Sequence, residues 1–193
     1  MRHIWYVAYG SNLSQERFSC YLRGGRPNGS DRNYPGCRDT SDPMDSFGLM
    51  IPGGIYFAGR SSGWQAGMSF YDPEAPGEVA ARAYLITAEQ FVDVLAQETL
   101  RSPGMALDLA PAFRGERYSD GVGGYSMLVR VGDRRGVPLV TFTRDRRSVS
   151  ALAAAPTVLY LAAMATGLRE AHGWSKAQID RYLSGYSSAC SSL

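Results

Sequence analysis

An apolar run near the beginning of the chain, residues 4–9, limits the possible folds most strongly. It is rich in β-branched and aromatic side chains and ends at Gly10, which is typical of a buried β-strand. A helix is predicted over 13–22, with Asn12 as its N-cap and Gln15 as the partner residue of a capping box. The chain is therefore expected to open as a strand, a tight glycine turn and a helix N-terminus.

The remaining segments predict more strands than helices. Segment 23–54 is rich in Gly, Pro, Asn, Asp and Arg, and it is expected to be irregular apart from one short strand. Further strands are predicted over 54–58, 64–71, 79–86, 125–131 and 137–143, the last two as a hairpin, and helices over 87–100, over 156–171 and from 175 onward. Thr87 and Gln90 are expected to form a capping box at the start of the helix over 87–100. This order favours an α+β fold, with a mixed β-barrel or curled sheet and flanking helices, over a doubly wound parallel sheet.

Length and charge exclude several classes of function. The 193 residues fit one domain, which we place at 1–186, followed by a frayed tail at 187–193. The net charge of +2 is too mild to indicate a nucleic-acid partner, and the basic run 144–147 is interpreted as a solvated loop. Since no apolar stretch approaches the roughly 20 residues of a membrane span, and no signal peptide is evident, we expect a cytoplasmic protein without a membrane partner.

The turn that follows the first strand is the first candidate site. A strand that turns through glycine into a helix N-terminus presents free backbone N–H groups, which suit an anion or a developing oxyanion. The residues concerned are Tyr9, Gly10, Ser11, Asn12 and Leu13. Gly10 would let a ligand approach the backbone closely. From the residues alone, a plain strand-to-helix turn with Asn12 as the cap remains an alternative.

Glu98 is the second candidate, and it lies in the helix predicted in the middle of the chain. Phe91, Val94 and Leu95 form the apolar stripe of that helix, and Glu98 follows at helical spacing, which places its carboxylate on the inward face. A buried carboxylate is costly unless it is paired or hydrogen-bonded, so the position suggests a general base. The alternative is a helix-end glutamate that pairs with Arg101.

Little in the sequence favours a metal site. His3 and His172 are the two histidines, and neither lies at the spacing of a metal-binding pair. Cys20, Cys37 and Cys190 form no Cys-x-x-Cys pair, which argues against a structural zinc site and against a disulfide scaffold. We therefore expect no metal and no cofactor.

Residues 59–63 match the G-x-S-x-G pattern of a nucleophile elbow. That motif requires a strand before it and a helix after it. A strand is predicted to follow here, at 64–71, so we interpret these residues as a hairpin turn.

Several segments, taken in order, resemble the γ-glutamylcyclotransferase family. The most specific is YVAYGSNL at residues 6–13, which is similar to the N-terminal signature of that family. The others are 67–70 with 76–79, 83–87 with 95–98, the strands at 125–131 and 137–143, and the helix start at 156–160. The resemblance covers most of the chain.

The resemblance implies a mixed barrel with flanking helices and no cofactor. It also implies an enzyme that converts a γ-glutamyl amine or amide into 5-oxoproline and a free amine. By this likeness, loop 9–13 would hold the γ-glutamyl group through backbone N–H groups. Glu98 would take a proton from the substrate's α-amino group and deliver it to the leaving nitrogen.

The chain departs from the family pattern around the glutamate. The family commonly has Asp-x-x-Glu-Gly there, whereas Leu95 and Thr99 stand at the corresponding positions, and a later tyrosine is missing. Two alternatives therefore stay open. One is an amide hydrolase or deacylase, and the other is a non-catalytic protein of the same fold that binds a small ligand.

Overall fold

The computed structural model describes residues 2–28, 30–59, 67–115, 118–119, 124–144 and 154–189. Several sequence predictions lie wholly or partly outside these residues. They concern the turn at 59–63 beyond Gly59, the first residues of the strand predicted at 64–71, the basic run at 145–147, Cys190, and the tail at 190–193.

The described residues form strands and helices in a mixed order. The strands are β1 His3–Ala8, β2 Asp45–Pro52, β3 Gly54–Ala58, β4 Met68–Asp72, β5 Glu78–Thr87, β6 Tyr118–Ser119, β7 Met127–Arg134 and β8 Val137–Thr143. The helices are α1 Gln15–Arg23, α2 Ala88–Glu98, α3 Ala110–Phe113, α4 Val158–His172 and α5 Lys176–Ala189, and a short 3-10 turn spans Ser11–Leu13. Helix α5 thus continues three residues past the expected domain end at 186.

Strand β1 lies in the middle of a six-stranded sheet with the order β2-β5-β1-β8-β7-β6. It pairs antiparallel with β5 and parallel with β8, so the sheet is mixed. Strands β3 and β4 form a separate antiparallel pair. The mixed sheet with flanking helices is confirmed, and in the described residues the sheet is open, with β2 and β6 at its edges, rather than closed into a barrel.

The continuous apolar run of β1 is explained by helices on both faces of the sheet. Ile4 and Tyr6 belong to a core cluster that includes side chains of α1 and α2. Trp5 and Val7 belong to a second cluster that includes side chains of α4 and α5. Each fully buried apolar side chain of this size contributes about 1.5–3 kcal/mol, so both faces of the strand stabilise the fold.

Strand β2 is the main departure from the sequence prediction. It pairs with β5 over eight residues, inside the segment expected to be irregular apart from one short strand, so the strand is longer than expected. The strand is mostly half-buried rather than alternately buried and exposed, so the period of two that normally identifies a strand is absent.

Other local predictions are confirmed. Thr87 and Gln90 form the predicted capping box at the start of α2, and β7 and β8 form the predicted hairpin. Within the described parts of the chain, no helix combines the length and the apolar character needed to cross a membrane.

Candidate functional site

A cavity of about 270 Å³ lies at the end of β1. Its wall is formed mainly by aromatic and polar side chains from the 3-10 turn, α1, α2, β4 and α4. It includes five of the six residues singled out from the sequence, namely Tyr9, Gly10, Ser11, Asn12 and Glu98. The structure thus brings the loop and the helix carboxylate together, although they are far apart in the chain.

Leu13, the sixth residue, does not belong to the cavity wall. Its side chain is fully buried in the cluster beneath α4, and its N–H donates to the Gly10 carbonyl over 3.0 Å. The Ser11 N–H lies 3.4 Å from Tyr160 Oη. Two of the N–H groups expected to face a ligand therefore already have protein partners.

Asn12 does not cap the first helix, and the capping box with Gln15 is absent. Helix α1 begins two residues later than predicted, and Ser14 there has the extended backbone of an N-cap and accepts a hydrogen bond from the Arg17 N–H. Asn12 lies within the 3-10 turn, so its backbone is not placed to cap α1. Its amide nitrogen instead donates to Tyr6 Oη and to Glu98 Oε1, both over 3.1 Å.

Glu98 is the last residue of α2, and its carboxylate is half-buried. An ionised carboxylate accepts hydrogen bonds and donates none, which fixes Asn12 with its NH₂ group toward Glu98. The other amide atom, Asn12 Oδ1, is buried and has no hydrogen-bond partner among the described residues. A buried acceptor without a donor is costly, so the hydrogen bond to Glu98 is made at the expense of an unsatisfied amide oxygen on Asn12.

Tyr160 was not identified as a site residue from the sequence. Its Oη lies 2.7 Å from Ser69 Oγ and 3.4 Å from both the Ser69 N–H and the Ser11 N–H. A Cβ atom on Gly10 would lie 2.3 Å from Ser69 Oγ and 2.6 Å from Tyr160 Oη. Gly10 is therefore required so that these two hydroxyl groups can lie against the loop.

Three residues outside the cavity wall hold the loop in place. Tyr84 Oη donates to the carbonyl oxygens of Asn12 and Leu13 over 3.0 and 3.2 Å. Arg82 donates to the Leu13 carbonyl over 3.3 Å. Helix α4 comes so close that a Cβ on Gly167 would lie 2.2 Å from the Leu13 carbonyl carbon. These contacts fix the backbone that carries the Asn12 side chain.

Three tyrosines of the wall, Tyr6, Tyr125 and Tyr160, are neutral hydrogen-bonding groups. Burial raises the pKa of Tyr6 and of Tyr125 well above its ordinary value, and the nearby charge of Glu98 raises both further. Burial likewise raises the pKa of Tyr160. Since these phenols keep their protons, Glu98 supplies the negative charge among the described residues of the wall.

Three further residues of the wall were not identified as site residues from the sequence, namely Arg17, Tyr21 and Tyr34. Arg17 Nη2 donates to Tyr21 Oη over 3.1 Å and to Tyr34 Oη over 2.7 Å. A signal existed for the first two, because Arg17 and Tyr21 are four residues apart and share a helix face. Tyr34 reaches them through the bridge between residues 25 and 34, which no local pattern indicates.

The described part of the chain contains no group of three or more His, Cys, Asp or Glu side chains placed to hold a metal ion.

The fold defined by this sheet and its helices is that of γ-glutamyl cyclotransferase. A solved structure of that name matches with a TM-score of 0.55 and 15% identity, over 93% of this chain and 86% of the other. An uncharacterized protein from Homo sapiens matches with a TM-score of 0.52 and 15% identity, over 94% and 86% of the two chains. At these identities the likeness establishes the fold.

Sequence comparison adds one relative. The Arabidopsis thaliana protein named "Histone deacetylase 5" is 29% identical over 202 residues, which cover 93% of this chain and 30% of that protein. The chain thus spans less than a third of the length of this relative. No family model matches the chain.

Proposed function

We propose that the chain is a γ-glutamylcyclotransferase-like enzyme, which releases 5-oxoproline and a free amine from a γ-glutamyl amine or amide. The observation that carries this proposal is the hydrogen bond between Asn12 and Glu98, 86 residues apart in sequence, at the wall of one cavity. The likeness in fold to γ-glutamyl cyclotransferase supports it.

In the proposed reaction the substrate supplies its own nucleophile. The Glu98 carboxylate takes a proton from the α-amino group, and the nitrogen attacks the γ-carbonyl carbon to form a five-membered ring. The bond from that carbon to the leaving nitrogen then breaks, and Glu98 returns the proton to the leaving amine. Because the attack is intramolecular, holding the substrate in a bent conformation supplies much of the acceleration.

The loop and the tyrosines would position these groups. Asn12 fixes the orientation of the base by donating to Oε1. The neutral Tyr160 hydroxyl accepts from the Ser11 N–H at the cavity wall, and its own O–H can donate to the γ-carbonyl oxygen as negative charge develops there. Tyr9 and Gly10 shape the wall, and Leu13 contributes by closing the turn.

The proposal includes no cofactor, metal, nucleic acid or membrane, and it places the enzyme in the cytoplasm. The deacetylase activity in the Arabidopsis relative's name belongs to a protein of which this match covers 30%. An amide hydrolase would use water as the nucleophile in place of the substrate's amine. The two reactions differ in product, since hydrolysis of a γ-glutamyl amide yields glutamate and cyclisation yields 5-oxoproline.

The test is a product analysis with purified protein and a panel of γ-glutamyl amino acids, γ-glutamyl amines and glutathione. We expect 5-oxoproline and free amine in equal amounts, at a rate proportional to protein concentration and above that of heat-denatured protein. Glutamate as the product would favour the hydrolase. Folded protein that binds γ-glutamyl compounds without forming any product would favour the non-catalytic alternative.

A further inference from the structure

Leu100 lies at the cavity wall in a backbone conformation that leucine rarely adopts. Its φ angle is 61°, in the left-handed region, which is unfavourable for a side chain of this size. Helix α2 imposes this conformation because it ends in a Schellman motif. The Leu100 N–H donates to the Gln97 carbonyl over 3.2 Å, and the next N–H, that of Arg101, donates to the Ala96 carbonyl over 2.7 Å. Glycine is the usual residue at this position of the motif, so the leucine calls for an explanation.

Packing does not explain this leucine. Leu100 is 68% exposed, and it belongs to neither core cluster of the described residues. Met68, another aliphatic side chain of the wall, is by contrast half-buried and packs against the core. The end of α2 does not depend on the leucine side chain either, since Arg32 Nη2 donates to the Gln97 carbonyl over 2.6 Å, where a cation suits the helix dipole. A single exposed leucine is ordinary on a protein surface, but this one combines strain with a place at the cavity.

Leu100 follows the candidate base by two residues, and both line the same cavity. Consecutive Cα atoms are about 3.8 Å apart, so the Cα atoms of Glu98 and Leu100 are separated by at most about 7.6 Å. In the proposed reaction Glu98 returns a proton to the leaving nitrogen, so the substituent on that nitrogen begins beside Glu98. The γ-glutamyl group is the enclosed part of the substrate, because its α-nitrogen must reach the base. The amine substituent is the part that extends outward, past an exposed side chain such as Leu100.

We propose that Leu100 determines substrate specificity by binding the substituent of the leaving amine through apolar contact, an inference that rests on the function proposed above. The preferred substrates are then γ-glutamyl amides of apolar amines. Each methylene group that is fully removed from water on binding strengthens the interaction roughly fourfold, and the leucine loses exposed apolar surface in the same contact. The γ-glutamyl group is common to all substrates of the proposed reaction, so the contact with the amine is what distinguishes one substrate from another.

The test measures kcat/KM for a series of γ-glutamyl n-alkylamides, from the methylamide to the butylamide. Their leaving amines differ in chain length but hardly in basicity, so the chemical reactivity of the amide stays nearly constant along the series. We expect kcat/KM of wild type to rise about two- to fourfold per methylene group. The 3-hydroxypropylamide carries a hydroxyl group in place of the terminal methyl group of the butylamide, and its kcat/KM should be roughly 10-fold lower.

Two variants of Leu100 remove the apolar contact without opposing the backbone. Leu100→Gly should flatten the series, with a loss in kcat/KM that grows from the methylamide to the butylamide, and its urea midpoint should stay the same or rise because glycine adopts positive φ without strain. Leu100→Asn tolerates the conformation as well, and its polar side chain should flatten the series too.

Arg135→Gly is the matched control. Among the described residues Arg135 is the other non-glycine residue with a positive φ angle, 51°, and it is exposed and lies outside the cavity wall. The substitution relieves the same kind of strain, so the variant should keep the wild-type dependence on alkyl length.

The outcomes separate the two proposals. Release of 5-oxoproline at rates independent of alkyl length, or an unchanged slope in the Leu100 variants, overturns the role of Leu100 and leaves the cyclotransferase proposal standing. An equal flattening in Arg135→Gly, or a lower urea midpoint in Leu100→Gly, which would show that packing holds the leucine, overturns it too. If no amide is turned over, titration calorimetry with the same amides replaces the kinetics. An affinity that rises with alkyl length in wild type but not in Leu100→Gly then overturns the cyclotransferase proposal alone, and the absence of binding overturns both.

Discussion

Two of the carboxylates of helix α2, Asp93 and Glu98, lie five residues apart and have completely different surroundings. Asp93 is fully buried and accepts hydrogen bonds from the backbone N–H groups of Arg38 and Gly104, over 2.9 and 2.8 Å. The Arg38 guanidinium group donates to both of its oxygens. Glu98 is half-buried, faces the cavity, and accepts one hydrogen bond from the described residues, that of Asn12.

The comparison shows how burial alone can mislead a search for functional carboxylates. Asp93 is the more deeply buried group, but donors surround it, and its charge ties α2 to two loops. Glu98 keeps acceptor capacity at a cavity, which a base needs if it is to take a proton from a ligand. The saturation of the hydrogen bonds, rather than the depth of burial, therefore separates the structural carboxylate from the candidate catalytic one.

The largest expected effect is on turnover in Glu98→Gln. Glutamine keeps the size and can still accept from Asn12, but it cannot take a proton, so the rate of 5-oxoproline release should fall by about 10²–10⁴-fold. The free energy of unfolding in urea should stay within about 0.5 kcal/mol of wild type, as for most substitutions outside a saturated network. Wild-type turnover in a folded variant would refute the role of Glu98.

Asp93→Asn should have the opposite effect, a loss of stability without a loss of turnover. Hydrogen bonds to an ionised acceptor are worth about 1.5–3 kcal/mol, and asparagine presents an NH₂ group to the donors of Arg38 and Gly104. We expect the free energy of unfolding to fall by about 2–3 kcal/mol, measured by urea denaturation with an unchanged m-value. The KM of the remaining folded protein should match wild type. Loss of turnover at unchanged stability would instead give Asp93 a place in the reaction.

Asn12→Asp tests whether Glu98 can act as the base only when the side chain hydrogen-bonded to it is uncharged. The substitution is isosteric but places a second carboxylate about 3 Å from the first, and two carboxylates at this distance do not both ionise readily. One of them keeps its proton to higher pH, so the acidic limb of the pH–rate profile should move upward by about one pH unit. Asn12→Ala removes the same hydrogen bond without adding a charge, so its acidic limb should move upward by less than that of Asn12→Asp.

The smallest effect is expected for Glu89→Gln, a third acid of α2. The sequence places Glu89 in the first turn of the helix, where the helix dipole favours a negative charge. Its side chain is 42% exposed and lies 2.8 Å from the Arg38 guanidinium group. Exposed pairs of this kind contribute about 0.2–1 kcal/mol, so the loss in unfolding free energy should be at most that and should shrink in high salt. A loss as large as that of Asp93→Asn would contradict the distinction drawn above.

Local patterns in the sequence were sufficient for part of this picture. The apolar run predicted β1, the capping box at Thr87 predicted the start of α2, and the spacing from Phe91 and Leu95 directed attention to Glu98. Each of these signals depends on neighbours within about two helical turns or one strand, where side-chain periodicity is informative.

The rest depends on contacts between distant residues. Asn12 and Ser14 are both good N-cap residues, and tertiary hydrogen bonds to Tyr6 and Glu98 decide that Asn12 takes another role. Tyr160 reaches the loop from the far end of the chain. Strand β2 forms because it pairs with β5, although its burial pattern lacks the alternation that is typical of a strand. Such pairings are set by the assembled fold and cannot be obtained from a short window of sequence.

The central place of β1 also sets the order in which the molecule can be built. Trp5 pairs with Leu139 in β8, and the Ser11 N–H lies beside Tyr160, so the first strand is made long before these partners exist. At synthesis rates of about 5–20 residues per second, the delay is on the order of ten seconds. Over that interval one edge of a largely apolar strand lacks its final neighbour, the condition under which nascent chains aggregate or recruit chaperones. Substitutions in β8 should therefore lower the yield of folded protein on expression by more than their effect on the free energy of unfolding of the purified protein would predict.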